Sequence, residues 1–363
     1  MADTYTLAHG AKHNVGDFLI RDRATALLEE HAGISPAQLS SIDISHTTIS
    51  NEELEEIADS KALLIAGGPS IQPDFYPRIY PSMDRLLALG IPIVPLGVGW
   101  RGHDENKFTF TDNSKKVLRS IFDRIEAGGV RDLPTKRLLE DIGINNVTLA
   151  GCPAWHDLRR DNESFTPPLS INSIVVTSPQ KGQVLRGPQW SYLLYRLARE
   201  FPGADRYVSY HHGMDHIDGY ISKKEMAYNY SIGSIAKILG YEFIDPSGNP
   251  DADPDDQSRV LDQYRNIDIH IGYRVHGHIH FLANGQPSYL LCEDGRGFGA
   301  SESFRTQGAD VGATSAKDVK APVDKIVQNV KRNHRTGYED FKGVDGAIST
   351  ARKNMERVLE SLP

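Results

Sequence analysis

The sequence predicts an α/β fold of two doubly wound domains facing a cleft, and three observations carry that prediction. Short, continuous apolar runs alternate with amphipathic segments. The runs end in glycine or polar turns. A polar stretch from Asp157 to Pro168, closing on two adjacent prolines, interrupts the alternation near its middle. Continuous apolar strands alternating with helices are what a parallel sheet covered on both faces requires. At 363 residues the chain is long enough for two such domains, each with its own core. The expected division is residues 1–160, residues 169–340, and a C-terminal helix over 341–363 that is free to pack back on the first domain.

Element by element, Tyr5 to Ala8 reads as the first strand, with a turn through His9-Gly10 to Gly16-Asp17 and a helix from about Phe18 to His31. Ala62 to Ala66 and Ile91 to Leu96 are buried strands that stop at Gly67-Gly68-Pro69 and Gly97-Val98-Gly99. Helices are expected over Met83 to Leu89, Asn113 to Glu126 and Leu133 to Ile142, with short strands at 129–131 and 147–150. After the linker the pattern restarts. Strands fall at 173–177, 206–210, 241–244, 267–271 and 288–292, with helices at 189–201, 221–239, 258–266 and 276–284. Two helices, 318–331 and 346–362, close the chain. The last carries Ile348, Ala351, Met355, Val358 and Leu359 at helical spacing.

Composition narrows the function classes. A net charge of -8 speaks against general nucleic-acid affinity, which needs a basic surface. No apolar run approaches the ~20 residues that span a bilayer, and the N-terminus has neither the basic start nor the apolar core of a signal peptide. Two cysteines, Cys152 and Cys292, are too few for a disulfide framework. The reading is a reduced, cytoplasmic protein without a transmembrane segment. A homo-oligomer is compatible with it.

The most informative stretch is Arg274-Val275-His276-Gly277, between the run 267–272 and the helix that follows. Arginine is always charged and forks onto phosphate or carboxylate. A histidine two residues on can give or take a proton near neutral pH. Where a strand feeds a helix, the pair reads as an anion site with an acid beside it. Lys181 and Arg186, after the strand at 173–177, are candidates for a second anion contact, with a solvated basic loop as the alternative. Asn14-Val15-Gly16-Asp17 opens the first helix. Asp17 there either complements the helix dipole or serves as a base near an acceptor hydroxyl. Gly67, Gly68 and Gly99 sit in strand-end turns, where glycine lets a ligand approach the backbone or simply makes the turn. His276 and His280 would share a helix face, but no H-E-x-x-H pattern occurs, and the reading is no metal. A phosphate loop and a G-x-S-x-G elbow are also missing.

Taken in order, these pieces resemble the polysaccharide pyruvyl transferase family. The resemblance rests on Asn14-Val15-Gly16-Asp17-Phe18-Leu19-Ile20, Leu63 to Gly68, Ile93 to Gly99 and Val130-Arg131-Asp132. It continues through Gly151-Cys152-Pro153-Ala154, Arg274 to Gly277 and Ala283-Asn284-Gly285-Gln286-Pro287. The chain departs from the family pattern at Pro69, where a third glycine is usual, and at Cys152, where an aspartate is usual. The resemblance implies two Rossmann-like domains in a GT-B-like arrangement. It also implies transfer of a pyruvyl group from phosphoenolpyruvate to sugar hydroxyls as a ketal, with no cofactor beyond the donor. His276 and Arg274 are then catalytic, with Asp17 as the base. Arg274, His276, Gly277, Lys181 and Arg186 bind the donor. Asn14, Gly16, Asp17, Gly67, Gly68 and Gly99 bind a saccharide acceptor. Rival readings are a glycosyltransferase using a sugar nucleotide, a non-catalytic binding protein of the same fold and, third, a metal-dependent hydrolase.

Overall fold

The computed structural model describes residues 3–12, 14–158, 164–179, 186–211, 222–244, 261–311 and 319–363. The chain forms two compact units. Unit 1 comprises Met1–Ala11, Leu19–Arg159 and Gly346–Pro363, and unit 2 comprises Lys12–Phe18 and Arg160–Asp345.

Unit 1 is built on a parallel sheet of β1 (Tyr5–Ala8), β2 (Leu39–Ile42), β3 (Leu63–Ala66), β4 (Ile93–Val98), β5 (Gly128–Val130) and β6 (Val147–Leu149), in the order β2-β1-β3-β4-β5-β6. Helices α1 (Val15–Ala32), α2 (Asn51–Ala58), α3 (Met83–Ala88), α4 (Asp112–Phe122) and α5 (Leu133–Glu140) connect them. Strands β1, β3 and β4 are buried along their whole length, which is why they read as largely apolar runs. The pair β2 and α2 has no such signature. Strand β2 is an edge strand of sequence LSSI with no fully buried residue, and α2 buries only Ile57. A local device starts α2 instead. Ser50 Oγ accepts from the Glu53 amide at 3.1 Å while Glu53 accepts from the Ser50 amide at 2.7 Å, the reciprocal capping box.

Unit 2 follows the same plan with β7 (Ser173–Thr177), α6 (Gly187–Glu200), β8 (Asp205–Ser209), α7 (Lys223–Ile238), β9 (Tyr241–Ile244) and β10 (Ile269–Gly272). It continues with α8 (Val275–Ala283), β11 (Ser288–Cys292), α9 (Gly295–Ser303), β12 (Ala309–Asp310) and α10 (Ala321–Arg335). Its order is β12-β11-β10-β7-β8-β9, all parallel. Ile174, Val175 and Val176 on β7 and Ile269 and Ile271 on β10 are fully buried. Helix α6 covers the sheet with Trp190, Leu193, Leu194 and Leu197, a helical stripe. Helix α9, GRGFGASES, is built of residues that score poorly as helix formers. Packing compensates: a side chain at Gly297 would lie 2.9 Å from the Cys292 backbone, so glycine lets α9 approach β11. The last helix, α11 (Val344–Glu360), buries Ala351, Met355, Val358 and Leu359, and the segment from Gly346 on groups with unit 1.

The unit boundaries fall at other residues than the sequence expectation: 341–345 group with unit 2, and so does a segment near the N-terminus. Residues 12–18 group with unit 2. The Val15 amide donates to the His211 carbonyl at 3.4 Å, and the backbone of Gly16 lies under the ring of His276.

Candidate active site

In unit 2, β10 lies beside β7; β8 and β9 continue outward from one, β11 and β12 from the other. In open α/β sheets ligands bind at such a reversal of strand order, outside the carboxyl ends of the central strands. Thr177 ends β7 there, followed by Ser178 and Pro179, and Tyr273 and Arg274 follow β10.

Arg274 is half-buried and tied three times to the end of β7 and the two residues after it. Its amide donates to Thr177 Oγ1 at 3.2 Å, and its Nη2 donates to Ser178 Oγ at 3.3 Å and to the Pro179 carbonyl at 2.6 Å. These bonds set the plane of the guanidinium fork. Tyr273 is buried; its hydroxyl donates to Gln189 Oε1 at 3.1 Å, and burial, reinforced by the Glu293 charge, pushes its pKa well above the ordinary tyrosine value. Arg186, directly before α6, is close enough to act electrostatically on Tyr273.

His276 lies in the first turn of α8, half-buried. Its ring rests on Gly16: a Cβ there would come within 2.5 Å of His276 Cγ and 2.8 Å of its Cβ, so only glycine admits the imidazole. Asn14 shapes this start of α1. Its Oδ1 accepts from the Gly16 amide at 3.2 Å and its Nδ2 donates to Asp17 Oδ2 at 3.1 Å. Gly277 turns toward the sheet, where a side chain would meet His270 Nε2 at 3.2 Å and His211 and Thr177 at 3.4 Å.

The end of β11 adds residues that sequence reasoning missed. Glu293 and Asp294 are buried carboxylates, and Asp294 chelates Arg296 through Nε at 2.9 and 3.0 Å and Nη2 at 2.7 Å. Burial works against the Arg296 charge, but Asp294, Glu293 and Asp17 outweigh it and hold its pKa above the usual arginine value. Asp17 is therefore electrostatically coupled to the end of β11. A signal existed: Glu293-Asp294 follow an apolar run just as Arg274 follows one.

The other histidines of the motif region turn inward. His270, His278, His280 and His211 are buried. Burial drives the pKa of His270 well below its ordinary value and that of His278 down to about 3, so both rings are neutral. Among the described residues no group of three or more histidine, cysteine or carboxylate side chains is placed to hold a metal ion.

Unit 2 thus brings together Arg274, His276, Gly277, Arg186, Asn14, Gly16 and Asp17. Lys181 lies outside the described residues. Gly67, Gly68 and Gly99 belong to unit 1. A side chain at Gly67 would strike Ile20 at 2.8 Å, and Gly99 is covered by the Arg131 guanidinium, whose Cδ would sit 2.5 Å from a Cβ. Gly68, at φ +80, has open space beside it. Arg131 is buried, its Nη2 donating to the Trp100 carbonyl at 2.9 Å and its Nε to Asp132 at 3.0 Å. Asp132 caps α5 through the Thr135 amide at 2.9 Å.

Known proteins resemble this chain in family and in fold. A family model described as polysaccharide pyruvyl transferase matches residues 14–291. Among curated proteins, none matches. Solved structures share the fold along nearly the whole chain. A UDP-GlcNAc 2-epimerase from Methanocaldococcus jannaschii, in complex with UDP-GlcNAc and UDP, has a TM-score of 0.57 at 10% identity, covering 98% of this chain and 99% of that one. MnaA from S. aureus, solved with UDP, has a TM-score of 0.55 at 11% identity, covering 96% and 94%. A UDP-GlcNAc 2-epimerase from Neisseria meningitidis bound to UDP-GlcNAc has a TM-score of 0.55 at 10% identity, covering 99% and 98%. Two parallel sheets flanked by helices, on this fold, make the chain GT-B-like with Rossmann-like units, the class its sequence predicts. No helix among the described residues is long and apolar enough to cross a membrane.

Proposed function

The chain belongs to the polysaccharide pyruvyl transferase family, and from that premise we propose that it moves a pyruvyl group from phosphoenolpyruvate onto two hydroxyls of a saccharide, closing a ketal and releasing phosphate. The observation that supports this most is the pairing of Arg274 and His276 at the reversal of strand order in unit 2.

The donor is an enol phosphate bearing a carboxylate. Its reaction begins with a proton added to the methylene carbon, and His276 is the acid for that step. The cationic carbon that results is attacked by one acceptor hydroxyl, phosphate departs with its bridging oxygen, and a second hydroxyl closes the ring. Of the two hydroxyl protons released, one restores the acid and one leaves with phosphate or the base. Arg274 clamps the donor's anionic groups, Arg186 and Lys181 assist, and the backbone at Gly277 brings the start of α8 close to the donor. Asp17 is the base, held by Asn14. On the acceptor side Asn14, Gly16, Asp17 and Gly68 remain the best candidates; Gly67 and Gly99 are filled by the protein's own side chains and are better read as packing positions. The setting of this reading is a reduced cytoplasm, where the buried Cys152 and Cys292 stay free thiols.

Incubation with phosphoenolpyruvate and a panel of glycans tests the reading. The expected result is phosphate release together with a pyruvyl mass increment on one acceptor. A second reading, a sugar-nucleotide donor, is favoured by the UDP ligands named for the structural neighbours. Thermal protection separates the two, since a ligand at 100 times its dissociation constant adds about 2.7 kcal/mol. Protection by UDP-sugars and none by phosphoenolpyruvate would replace the first reading with the second.

A further inference from the structure

Behind the Arg274–His276 turn runs a buried chain of polar groups that the proposed reaction does not use. The Arg274 amide donates to Thr177 Oγ1 at 3.2 Å, and Thr177 Oγ1 hydrogen-bonds His270 Nε2 at 2.9 Å. His270 Nδ1 lies 2.7 Å from Ser288 Oγ, and the same oxygen lies 2.7 Å from His278 Nδ1. All four side chains are buried, and the chain crosses three neighbouring strands, β7, β10 and β11, before it reaches α8. Gly277 packs on the same groups, with His270 Nε2 and Thr177 Cγ2 under its α-carbon.

One assignment of the protons runs in a single direction along the chain. A backbone N–H only donates, so Thr177 accepts from Arg274 and its own hydrogen is available for His270 Nε2. His270 then carries its proton on Nδ1 and gives it to Ser288, which has one hydrogen to pass to His278 Nδ1. Every hydroxyl hydrogen along the path is used once. The path requires two neutral rings, in agreement with the burial of His270 and His278.

We propose that Thr177 and His270 are positioning residues for the Arg274-Val275-His276 turn, and that the relay from the Arg274 amide through Thr177, His270 and Ser288 to His278 fixes where β10 ends and α8 begins. Arg274 and His276 are two and four residues past the end of β10, on either side of the first residue of α8. Their placement is inherited from that boundary, and small misplacements of reacting groups are costly. The proposal rests on the reading of Arg274 and His276 as the donor site.

Two variants of one residue separate positioning from bulk structure. Thr177→Val keeps the shape and removes the hydroxyl; Thr177→Ser keeps the hydroxyl. In ¹⁵N-histidine-labelled full-length protein, the wild type should show His270 as the neutral Nδ1–H tautomer. Thr177→Val should shift the His276 ring signals, identified by their loss in His276→Gln, and Thr177→Ser should leave them in place. With phosphoenolpyruvate and an acceptor, Thr177→Val should lower kcat at least tenfold with a smaller change in KM, and Thr177→Ser should restore most of it. If Thr177→Val does not fold, Ser288→Ala cuts the relay farther from the site and should move the same His276 signals. Unchanged His276 signals in a folded hydroxyl-less variant, or equal losses in the valine and serine variants, overturn the proposal. A wild type with the expected ring signals but no phosphate release would count against the proposed reaction and leave the relay standing.

Discussion

At the strand ends of unit 1, the approaches at Gly67, Gly97 and Gly99 are filled by the protein itself, while Gly68 stays open. Arg131 lies over Gly99, Ile20 presses on Gly67, and a side chain at Gly97 would meet Pro153 at 2.8 Å. Arg23 and Asp157 form a buried two-pronged ion pair, with one arm at 2.6 Å, and His156 is buried nearby with a ring nitrogen 2.8 Å from the Ala150 carbonyl. At the strand ends of unit 2, Arg274 and His276 are instead half-exposed at the turn after β10 with neutral polar groups buried behind them, while Glu293 and Asp294 after β11 are buried. The same sheet architecture has spent its strand-end residues on packing in one unit and on presentation in the other. A lesion at a unit 1 strand end should therefore cost stability, and one at a unit 2 strand end should cost turnover.

The sharpest test is His276→Ala. Loss of a general acid typically costs 10²–10⁴-fold, so phosphate release should fall by about that factor while the melting temperature holds. Wild-type turnover in this variant would remove His276 from the mechanism. Gly16→Ala comes next. The added methyl cannot coexist with the observed imidazole position, and misplacement of about 1 Å costs on the order of 10²-fold. Gly10→Ala, which has open space around it, is the matched control and should behave as wild type.

Acid should act on both units through their buried histidines. Burial lowers His156 to about 4 in unit 1, and His278 to about 3 with His270 also well below normal in unit 2. These rings are neutral when folded and bind protons below about 6.5 when unfolded. Stability is therefore full above pH 6.5 and is lost as pH falls from there, toward about 4 for His156 and about 3 for His278, by about 1.4 kcal/mol per pH unit for each of these two rings, with His270 acting in the same direction. Half-shielded His9 adds a smaller share in unit 1. Hydrogen exchange across that window should show unit 2 losing protection more steeply; equal slopes would mean that its two rings are not held neutral. The smallest effect is expected from Gly99→Ala. Overpacking against Arg131 should cost about 1–3 kcal/mol, read by denaturant midpoint, with kcat per folded molecule unchanged. A kcat loss there would bring Gly99 back as an acceptor contact.

Much of the architecture was legible because fully buried parallel strands write themselves as apolar runs. Strands β3, β4, β7, β10 and β11 were readable for that reason. Strand β2 was not, because an edge strand needs no apolar run, and α9 was not, because its glycines serve close packing and hide its helical character. Arg274 and His276 stood out from sequence through their place after an apolar strand. The company they keep did not. Thr177 and His270 meet across 93 residues of chain, and the placement of Asn14 to Asp17 with unit 2 depends on contacts with His211 and His276. Long-range pairing of this kind leaves no local pattern.

The single hydroxyl of Ser288, set between two imidazoles, has a consequence for how this protein can vary. It has one hydrogen to give, so positions 270, 278 and 288 are not three independent choices. Replacing the serine alone strands two buried nitrogens, whereas replacing all three with apolar residues of matching volume removes the demand of both rings and leaves the Thr177 hydroxyl to be satisfied. Descendants of this chain, natural or engineered, should keep the trio whole or lose it in one step, and a combinatorial library at these sites should show survivors at the two extremes and few between.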